Sequence, residues 1–163
     1  MTQRFTETLC RASEPDWSAA VQHRFVRELC DGTIPDAVMG AYLVQDHRFL
    51  DAFLTLLGGA IASADGFQAR LRLGRFAGMV SGDENDYFLR SFAALGISDA
   101  ARAAIPDSAP TAGFQAIMRE AAATRSYAAI LAVLTVAEWL YLDWASRAPR
   151  PLPGTFVLSL IHI

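Results

Sequence analysis

The hydrophobic positions of this 163-residue chain return every three or four residues along most of its length. That spacing places apolar side chains on one face of an α-helix, whereas no segment shows the sustained alternation and β-branched composition of a strand. The pattern therefore predicts an all-α fold. The predicted helices cover residues 13–30, 33–64, 67–80, 84–95, 111–123 and 126–147. Because short loops join these helices, we expect an antiparallel bundle.

The helix boundaries are predicted from capping residues and helix breakers. Thr33 is expected to cap the second helix, with Pro35 in its first turn, and Thr111 is expected to cap the fifth. Residues 58–59, both glycine, are expected to loosen the second helix, and residues 81–83 are expected to separate the third helix from the fourth.

The end of the chain does not fit the helical pattern. Residues 148–154 are rich in proline and cannot form a helix, and residues 155–163 are apolar and prone to β-structure. The last six residues can be encoded by CTG TCT CTT ATA CAC ATC, which resembles the end of a transposon-derived sequencing adapter. We therefore expect one helical domain over residues 1–147 and a tail over 148–163 whose last residues are not native. The alternative is a genuine short apolar terminus.

Composition narrows the class of protein. Hydrophobic residues make up 53% of the chain and charged residues 19%, as expected for a packed globule. The net charge of −3 gives no basic surface for nucleic acid. Cys10 and Cys30 form no ligand or disulfide motif, so we expect free thiols in the cytoplasm. The apolar run 127–142, interrupted by Thr135 and Glu138, is shorter than the roughly 18 unbroken residues of a membrane span, so it predicts a helix buried on nearly every side.

Asp46 is the first candidate for chemistry. Together with Tyr42, Phe49, Leu50 and Phe53 it occupies one face of the second predicted helix, and the rest of that face is aromatic or aliphatic. An unpaired carboxylate in such surroundings is unfavourable. Two interpretations are open: a pocket acid whose pKa burial raises, or an aspartate held by an arginine or a backbone amide of a neighbouring helix.

Glu138 is the second candidate, because it interrupts an apolar run and its neighbours three and four positions away are mostly apolar. We expect a buried carboxylate, and the alternative is a solvent-facing stripe that includes a nearby arginine. His23 and His47 are isolated and belong to no Glu-x-x-His pair, so we expect no metal site. The chain also lacks a phosphate-binding loop and a dinucleotide fingerprint, so no cofactor is expected.

Several motifs in the same order resemble the TenA (thiaminase II) family. The family pattern reads His-Pro-Phe-Val, Asp-Gly-Thr-Leu-Pro and Tyr-x-x-Gln-Asp-x-x-Tyr-Leu, and its counterparts here are residues 23–26, 31–35 and 42–50. Residues 110–114 and 131–141 also match at ungapped spacing. The resemblance covers about residues 14–147, and the ordered combination is specific although each motif alone is weak.

The resemblance implies a heme-oxygenase-like helical bundle, usually a tetramer, with a pocket for a pyrimidine. Members serve thiamin salvage by cleaving the bond between the methylene of a 4-amino-2-methylpyrimidine and its leaving nitrogen. By matching positions, Asp46 binds the aminopyrimidine edge, and Phe49 and Phe114 stand where the family usually has tyrosines that line or stack on the ring. Tyr141 matches a tyrosine that hydrogen-bonds the nucleophile, and Tyr42 joins the substrate-binding set.

The chain departs from the family at two places. Ala137 occupies the position of the catalytic cysteine of the best-known branch, whereas Glu138 fits a second branch that relies on glutamates. Family members also continue through further helices, so we expect this chain to lack the closing helices of the bundle and to be poorly active by itself. Two alternatives to the hydrolase are open: a non-catalytic protein that binds a pyrimidine or another flat ligand, and a metal- or redox-dependent oxidase of the same fold. No nucleic-acid or membrane partner is expected.

Overall fold

A computed structural model describes residues 4–148, and over that range it contains helices and no strand. The helices are α1 (Phe5–Ala12), α2 (Asp16–Val21), α3 (Arg24–Cys30), α4 (Asp36–Ser63), α5 (Phe67–Met79), a π-helical turn (Val80–Glu84), α6 (Asn85–Ala94), α7 (Asp99–Ala104), α8 (Ala109–Ala123) and α9 (Tyr127–Ala145). The all-α prediction is therefore confirmed. The predictions for residues 149–163, including the non-native end, lie outside the described residues.

The helices belong to two compact units. Within the described range, one unit comprises residues 4–34 and 137–148, and the other comprises residues 35–136. The first unit thus contains α1, α2, α3 and the second half of α9, and the second contains α4 to α8 and the first half of α9.

The longer unit is organised around α4. Contacts between α4 and α8 advance together along both helices, from Gln45 with Ser108, through Phe49 with Phe114, to Gly59 beside Ala122. The two helices therefore run in the same direction, and the chain returns between them through α5, α6 and α7. Large side chains that are almost completely buried form the core of this unit: Met39, Leu43, Val44, Leu56, Leu57, Val80, Phe88, Met118 and Ile130.

The first predicted helix is broken in the structure. α2 ends at Val21 and α3 begins at Arg24, because the ring nitrogen Nδ1 of His23 accepts a hydrogen bond from the backbone amide of Phe25 at 3.2 Å and caps the new helix. The singled-out His23 is thus a helix cap. α1 was not predicted.

The start of α4 also differs from the prediction. The amide of Thr33 donates to the carbonyl of Glu28 at 2.9 Å and closes the end of α3, so Thr33 does not cap α4. α4 begins at Asp36, with Pro35 as its N-cap. The physical reason is that the residue before a proline avoids the helical conformation.

Three other predictions about where helices begin, loosen or break differ from the structure. α4 continues without interruption through residues 58–59, and α5 is joined to α6 by the π-helical turn instead of a break at 81–83. α8 begins earlier than predicted, because the Ser108 hydroxyl, not Thr111, is the cap and accepts from the Thr111 amide at 3.2 Å. The short helix α7 was not predicted.

The prediction that residues 127–142 are buried on nearly every side is wrong for the described chain. Ile130, Leu134 and Trp144 of α9 are buried, but Val136 is 50% exposed and Leu142 63% exposed. α9 is long and apolar enough to cross a membrane by length and composition alone, with a mean hydropathy of 1.5. Apolar composition predicts that a helix favours an apolar environment, but a packing partner on each face is what buries it.

Candidate functional site

Asp46 lies on α4 one helical turn after Tyr42, so both side chains share a face of the helix. The Tyr42 side chain hydrogen-bonds the Asp46 carboxylate. Desolvation nevertheless raises the pKa of Asp46 to about 6, and the bond from Tyr42 only partly opposes it. Within residues 4–148 no arginine or backbone amide is paired with Asp46, so the interpretation of an aspartate held by such a partner does not fit. The other interpretation, an acid whose pKa is raised by burial, does fit. Asp46 therefore changes protonation state close to neutral pH.

Two phenylalanines beside Asp46 form an aromatic wall. The ring of Phe49, one turn after Asp46, lies 5.2 Å from the ring of Phe114 on α8 and 5.1 Å from the ring of Phe53, measured between centroids. These separations are those of favourable aromatic pairs. Phe53 is buried, whereas Phe49 and Phe114 are only half-buried and keep surface for a ligand. The structure thus brings together Tyr42, Asp46, Phe49 and Phe114.

Two hydrogen bonds from the Gln45 side chain hold the segment that precedes α8. Its side-chain amide donates to the carbonyl of Pro106 at 3.0 Å, and its side-chain oxygen accepts from the amide of Ser108 at 2.9 Å. Both partners precede the helix that carries Phe114. Sequence reasoning missed this role, because the partners lie about sixty positions away along the chain and no spacing rule connects them.

Arg48 binds the same segment from the next turn of α4. Its Nη2 donates to the carbonyls of Arg102, at 2.6 Å, and of Ile105, and its Nη1 pairs with the Asp107 carboxylate at 2.8 Å. A guanidinium is suited to this task because its donors diverge in one plane. Gln45 and Arg48 therefore flank Asp46 in sequence and hold α8, with Phe114, against α4.

We expect Arg48→Met to destabilise the protein by about 1–2 kcal/mol, because two main-chain carbonyls lose a charged donor. Asp107→Asn removes the ion pair but leaves both carbonyl bonds, so it is expected to change the free energy of unfolding by less than about 1 kcal/mol. Urea denaturation of both variants beside the wild type measures the difference. Equal losses would contradict the view that the carbonyl bonds are the main contribution of Arg48.

Glu138 and Tyr141 lie in the other unit. The prediction of a buried Glu138 is wrong for the described chain, because the residue is exposed. Its i±3 and i±4 neighbours are mostly apolar, but Leu142, four positions on, is itself 63% exposed. The remaining desolvation still raises the pKa of its carboxyl. Tyr141 is half-buried, with its ring centroid 4.6 Å from that of Trp144.

A tryptophan that sequence reasoning did not single out anchors this part of α9. The Trp17 indole Nε1 donates to Asp143 Oδ2 at 2.8 Å, and its ring lies 5.0 Å from that of Trp139. These contacts join α2 to the second half of α9, the part that carries Glu138 and Tyr141. The signal in the sequence is weak, because 126 positions separate Trp17 from Asp143.

The same unit contains a cleft of about 350 Å³. Its walls are Val21, Gln22, Val26, Arg27, Cys30, Asp31, Trp144 and Arg147. None of the predicted site residues lines this cleft.

Cys10 and Cys30 are both free thiols, as predicted, and desolvation raises the pKa of Cys30. A raised pKa leaves Cys30 mostly protonated, which does not favour a nucleophilic role.

His47 is held by its neighbours in the longer unit. Its Nε2 lies 3.1 Å from Asn85 Oδ1, and its ring packs against Phe88 and Phe92 at 5.3 and 5.4 Å. Within residues 4–148 no group of three histidine, cysteine, aspartate or glutamate side chains is arranged to hold a metal ion. His47 is thus part of the packing between α4 and α6.

The fold is an all-helical bundle, and α4 carries an acidic side chain next to an aromatic cluster. Comparison with known proteins identifies the group. A model of the TENA/THI-4/PQQC family matches residues 11–155, and the chain belongs to this family. The predicted membership of the TenA group is thereby confirmed.

Individual relatives agree with this assignment. An enzyme named aminopyrimidine aminohydrolase from Bacillus subtilis (strain 168) is 29% identical over 154 residues, which are 93% of this chain and 64% of that protein. The chain therefore spans slightly less than two thirds of the length of this curated relative.

Solved structures confirm the heme-oxygenase-like helical fold. A TenA family transcription regulator from Silicibacter sp. TM1040 superposes with a TM-score of 0.84 at 24% identity, over 96% of this chain and 72% of that one. A TenA homologue from P. horikoshii OT3 gives a TM-score of 0.82 at 21% identity, over 96% and 75% of the two chains.

Proposed function

We propose that the protein is an aminopyrimidine hydrolase of thiamin salvage. The reaction replaces the amine, or a formylamine, on the methylene of a 4-amino-2-methylpyrimidine with water. For the amine, R–CH₂–NH₂ and H₂O become R–CH₂–OH and NH₃, so a C–N bond breaks and a C–O bond forms without any change of redox state. The reaction thus calls for proton transfer and needs no redox cofactor. We place it in the cytoplasm, with no membrane or nucleic-acid partner.

The observation that carries the proposal is a carboxyl with a pKa of about 6 beside two half-buried phenylalanines. The 4-amino group of the pyrimidine is a hydrogen-bond donor, and the adjacent ring nitrogen is an acceptor. A protonated Asp46 offers the complementary pair, one oxygen that accepts and one hydroxyl that donates. In the proposed reaction Asp46 is also a catalytic acid–base group, which exchanges this proton with the pyrimidine it binds. Phe49 and Phe114 offer faces for the ring. The named activity of the Bacillus subtilis relative agrees with this chemistry.

Glu138 and Tyr141 enter the proposal from the family resemblance, by matching positions in the sequence. Ala137 has no group that can attack the substrate, so Glu138 acts on water as a general base or protonates the leaving amine. Its raised pKa brings its titration closer to neutral pH, and its exposure gives it access to water. Tyr141 hydrogen-bonds the attacking group.

Glu138→Gln is expected to abolish turnover, since an amide neither accepts nor releases the required proton.

The experiment is an ammonia-release assay on the chain with 4-amino-5-aminomethyl-2-methylpyrimidine, with the Bacillus subtilis aminohydrolase as the positive control. Calorimetry with the same compound measures binding separately. Ammonia release that the Glu138→Gln variant loses supports the proposal. Binding without ammonia release would instead identify a non-catalytic pyrimidine-binding protein. Absence of both binding and release would exclude both functions for this chain.

A further inference from the structure

The side-chain amide of Gln45 has a single orientation, because its two partners differ in chemistry. The carbonyl of Pro106, 3.0 Å from the Gln45 nitrogen, can only accept a hydrogen bond. The backbone amide of Ser108, 2.9 Å from the Gln45 oxygen, can only donate one. Gln45 therefore holds the main chain before α8 at two points, and both ends of its amide are used.

Ser108 links this contact to α8 itself. Its hydroxyl caps the helix by accepting from the backbone amide of Thr111 at 3.2 Å. The contacts of Arg48 with the same segment end at Asp107, whereas Gln45 binds the capping residue. The start of α8 is thus tied to α4 through the Gln45 side chain.

Gln45 adjoins the face of α4 that carries the candidate site. Successive helical residues differ by about 100°, so Gln45 lies about 40° from Phe49 and about 100° from Asp46 around the helix axis. Phe49 follows Gln45 by one turn, and its ring lies 5.2 Å from that of Phe114 on α8. The hydrogen bonds of Gln45 and this ring contact therefore join the same two helices within about two turns.

The position of Phe114 depends on how the start of α8 is held. Near its other end α8 packs closely on α4, where a Cβ added to Gly59 would lie 3.2 Å from Ala122 Cβ. At about 1.5 Å per residue, Phe114 is about 12 Å and Ser108 about 21 Å from Ala122 along the helix. If α8 pivots about this contact, a displacement of about 1 Å at Ser108 moves Phe114 by roughly 0.6 Å. Displacements of this order matter, since a misplacement of about 1 Å can cost roughly 10²-fold in rate.

We propose that Gln45 is a positioning residue: through its bond to the Ser108 amide it sets the place of Phe114 relative to Phe49, and thereby the affinity for a flat heteroaromatic ring. The inference rests on the proposed function for the choice of ligand, an aminopyrimidine. Gln45 acts through the main chain and is not itself a contact of the ring. Its loss weakens the aromatic contacts of ground state and transition state alike, so KM rises and kcat is nearly unchanged.

Calorimetry with 4-amino-5-aminomethyl-2-methylpyrimidine on the full chain tests the proposal. Gln45→Met removes both hydrogen bonds at similar side-chain length, and we expect it to raise the Kd at least about fivefold. Gln45→Glu keeps an acceptor for the Ser108 amide. A carboxylate accepts strongly from a backbone N–H, so this variant is expected to bind within about twofold of the wild type. Gln68→Met, the same substitution at an exposed position of α5, is the matched control and is expected to bind like the wild type.

The titration separates positioning from loss of folded protein. Partial unfolding lowers the number of binding sites per chain and leaves the Kd of the folded molecules unchanged, whereas a displaced aromatic wall raises the Kd itself. In the ammonia-release assay, the KM of Gln45→Met is expected to rise with its Kd, while kcat stays within about threefold of the wild type.

An unchanged Kd in Gln45→Met would overturn this proposal and leave the proposed function in place. Equal increases in Gln45→Met and Gln45→Glu would also overturn it, because the bond to the Ser108 amide would then not be the one that matters. Binding without ammonia release would contradict the proposed function alone, since a raised Kd in Gln45→Met still supports the positioning role. A wild type that does not bind the pyrimidine would overturn both.

Discussion

Replacing Asp46 with asparagine is expected to lower turnover of the aminopyrimidine by a factor of roughly 10² to 10⁴, the usual contribution of a general acid or base. Asparagine cannot gain or lose a proton near neutral pH. It does offer one hydrogen-bond acceptor and one donor, as a protonated carboxyl does. The affinity for the substrate is therefore expected to remain within about fivefold of the wild type, an effect of less than one ordinary hydrogen bond.

Asp46→Ala is the matched variant, because it removes the two-point contact together with the proton transfer. We expect it to lose both affinity and turnover, as calorimetry and the ammonia assay measure separately. Wild-type turnover in Asp46→Asn would contradict the acid–base role. Equal losses of affinity in the asparagine and alanine variants would contradict the proposed pairing with the pyrimidine edge.

The pH dependence of stability distinguishes chemical loss from structural damage in Asp46→Asn. The pKa of Asp46 in the folded protein, about 6, lies above its ordinary value of 3.8. The folded state therefore holds the proton more tightly, so this residue destabilises the fold progressively as pH rises from 4 to 6 and fully above that range. The asparagine variant does not lose stability in this way, because its side chain does not titrate over this pH range. Its stability relative to the wild type is expected to increase between pH 4 and 7 by at most about 3 kcal/mol in urea denaturation.

Replacing Gly59 with leucine is expected to destabilise the protein by about 3 kcal/mol through overpacking. A Cβ at this position already lies 3.2 Å from Ala122 Cβ, 3.3 Å from Ala122 Cα and 3.3 Å from Ile130 Cδ1. The backbone of α8 at Ala122 cannot move aside without disturbing the helix that carries Phe114. The remaining leucine atoms must fit into the same contact.

Gly58→Leu is the control, since a Cβ at Gly58 meets no atom within 4 Å and the position is exposed. This change is expected to stabilise the protein by about 0.5–1 kcal/mol, because leucine is a better helix former than glycine. Urea denaturation of both variants gives the comparison. Similar effects of the two substitutions on stability would mean that close packing of α4 against α8 is not the reason why leucine is unfavourable at position 59.

Only the part of the candidate site that lies on one helix could be predicted from the spacing of residues in the sequence. The interval of four positions between Tyr42 and Asp46 requires both to share a face of α4, so the acidic and aromatic character of that face followed from the sequence. The approach of Phe114 to Phe49 did not follow from spacing, since 65 positions separate them. Their shared place in one site was expected from the family resemblance, and the structure brings their rings within contact.

The hydrogen bonds of Gln45 and Arg48 were missed altogether. Their partners are mainly backbone groups of residues 102–108, and a backbone carbonyl or amide has no signature in a sequence. Their proximity to α4 depends on how α5, α6 and α7 return the chain. The sequence motif therefore located Asp46, but the structure revealed the residues that hold the opposite wall of the site.

The sequence by itself determined that the chain is helical, roughly where the long helices run, and to which family it belongs, because hydrophobic period and ordered motifs are local properties. Only the structure showed the break before Arg24, the π-helical turn after Met79 and the exposure of Glu138. The two junctions depend on hydrogen bonds that compete with the regular helical pattern. The exposure of Glu138 depends on which element covers α9, and the apolar composition of one helix cannot specify its packing partner.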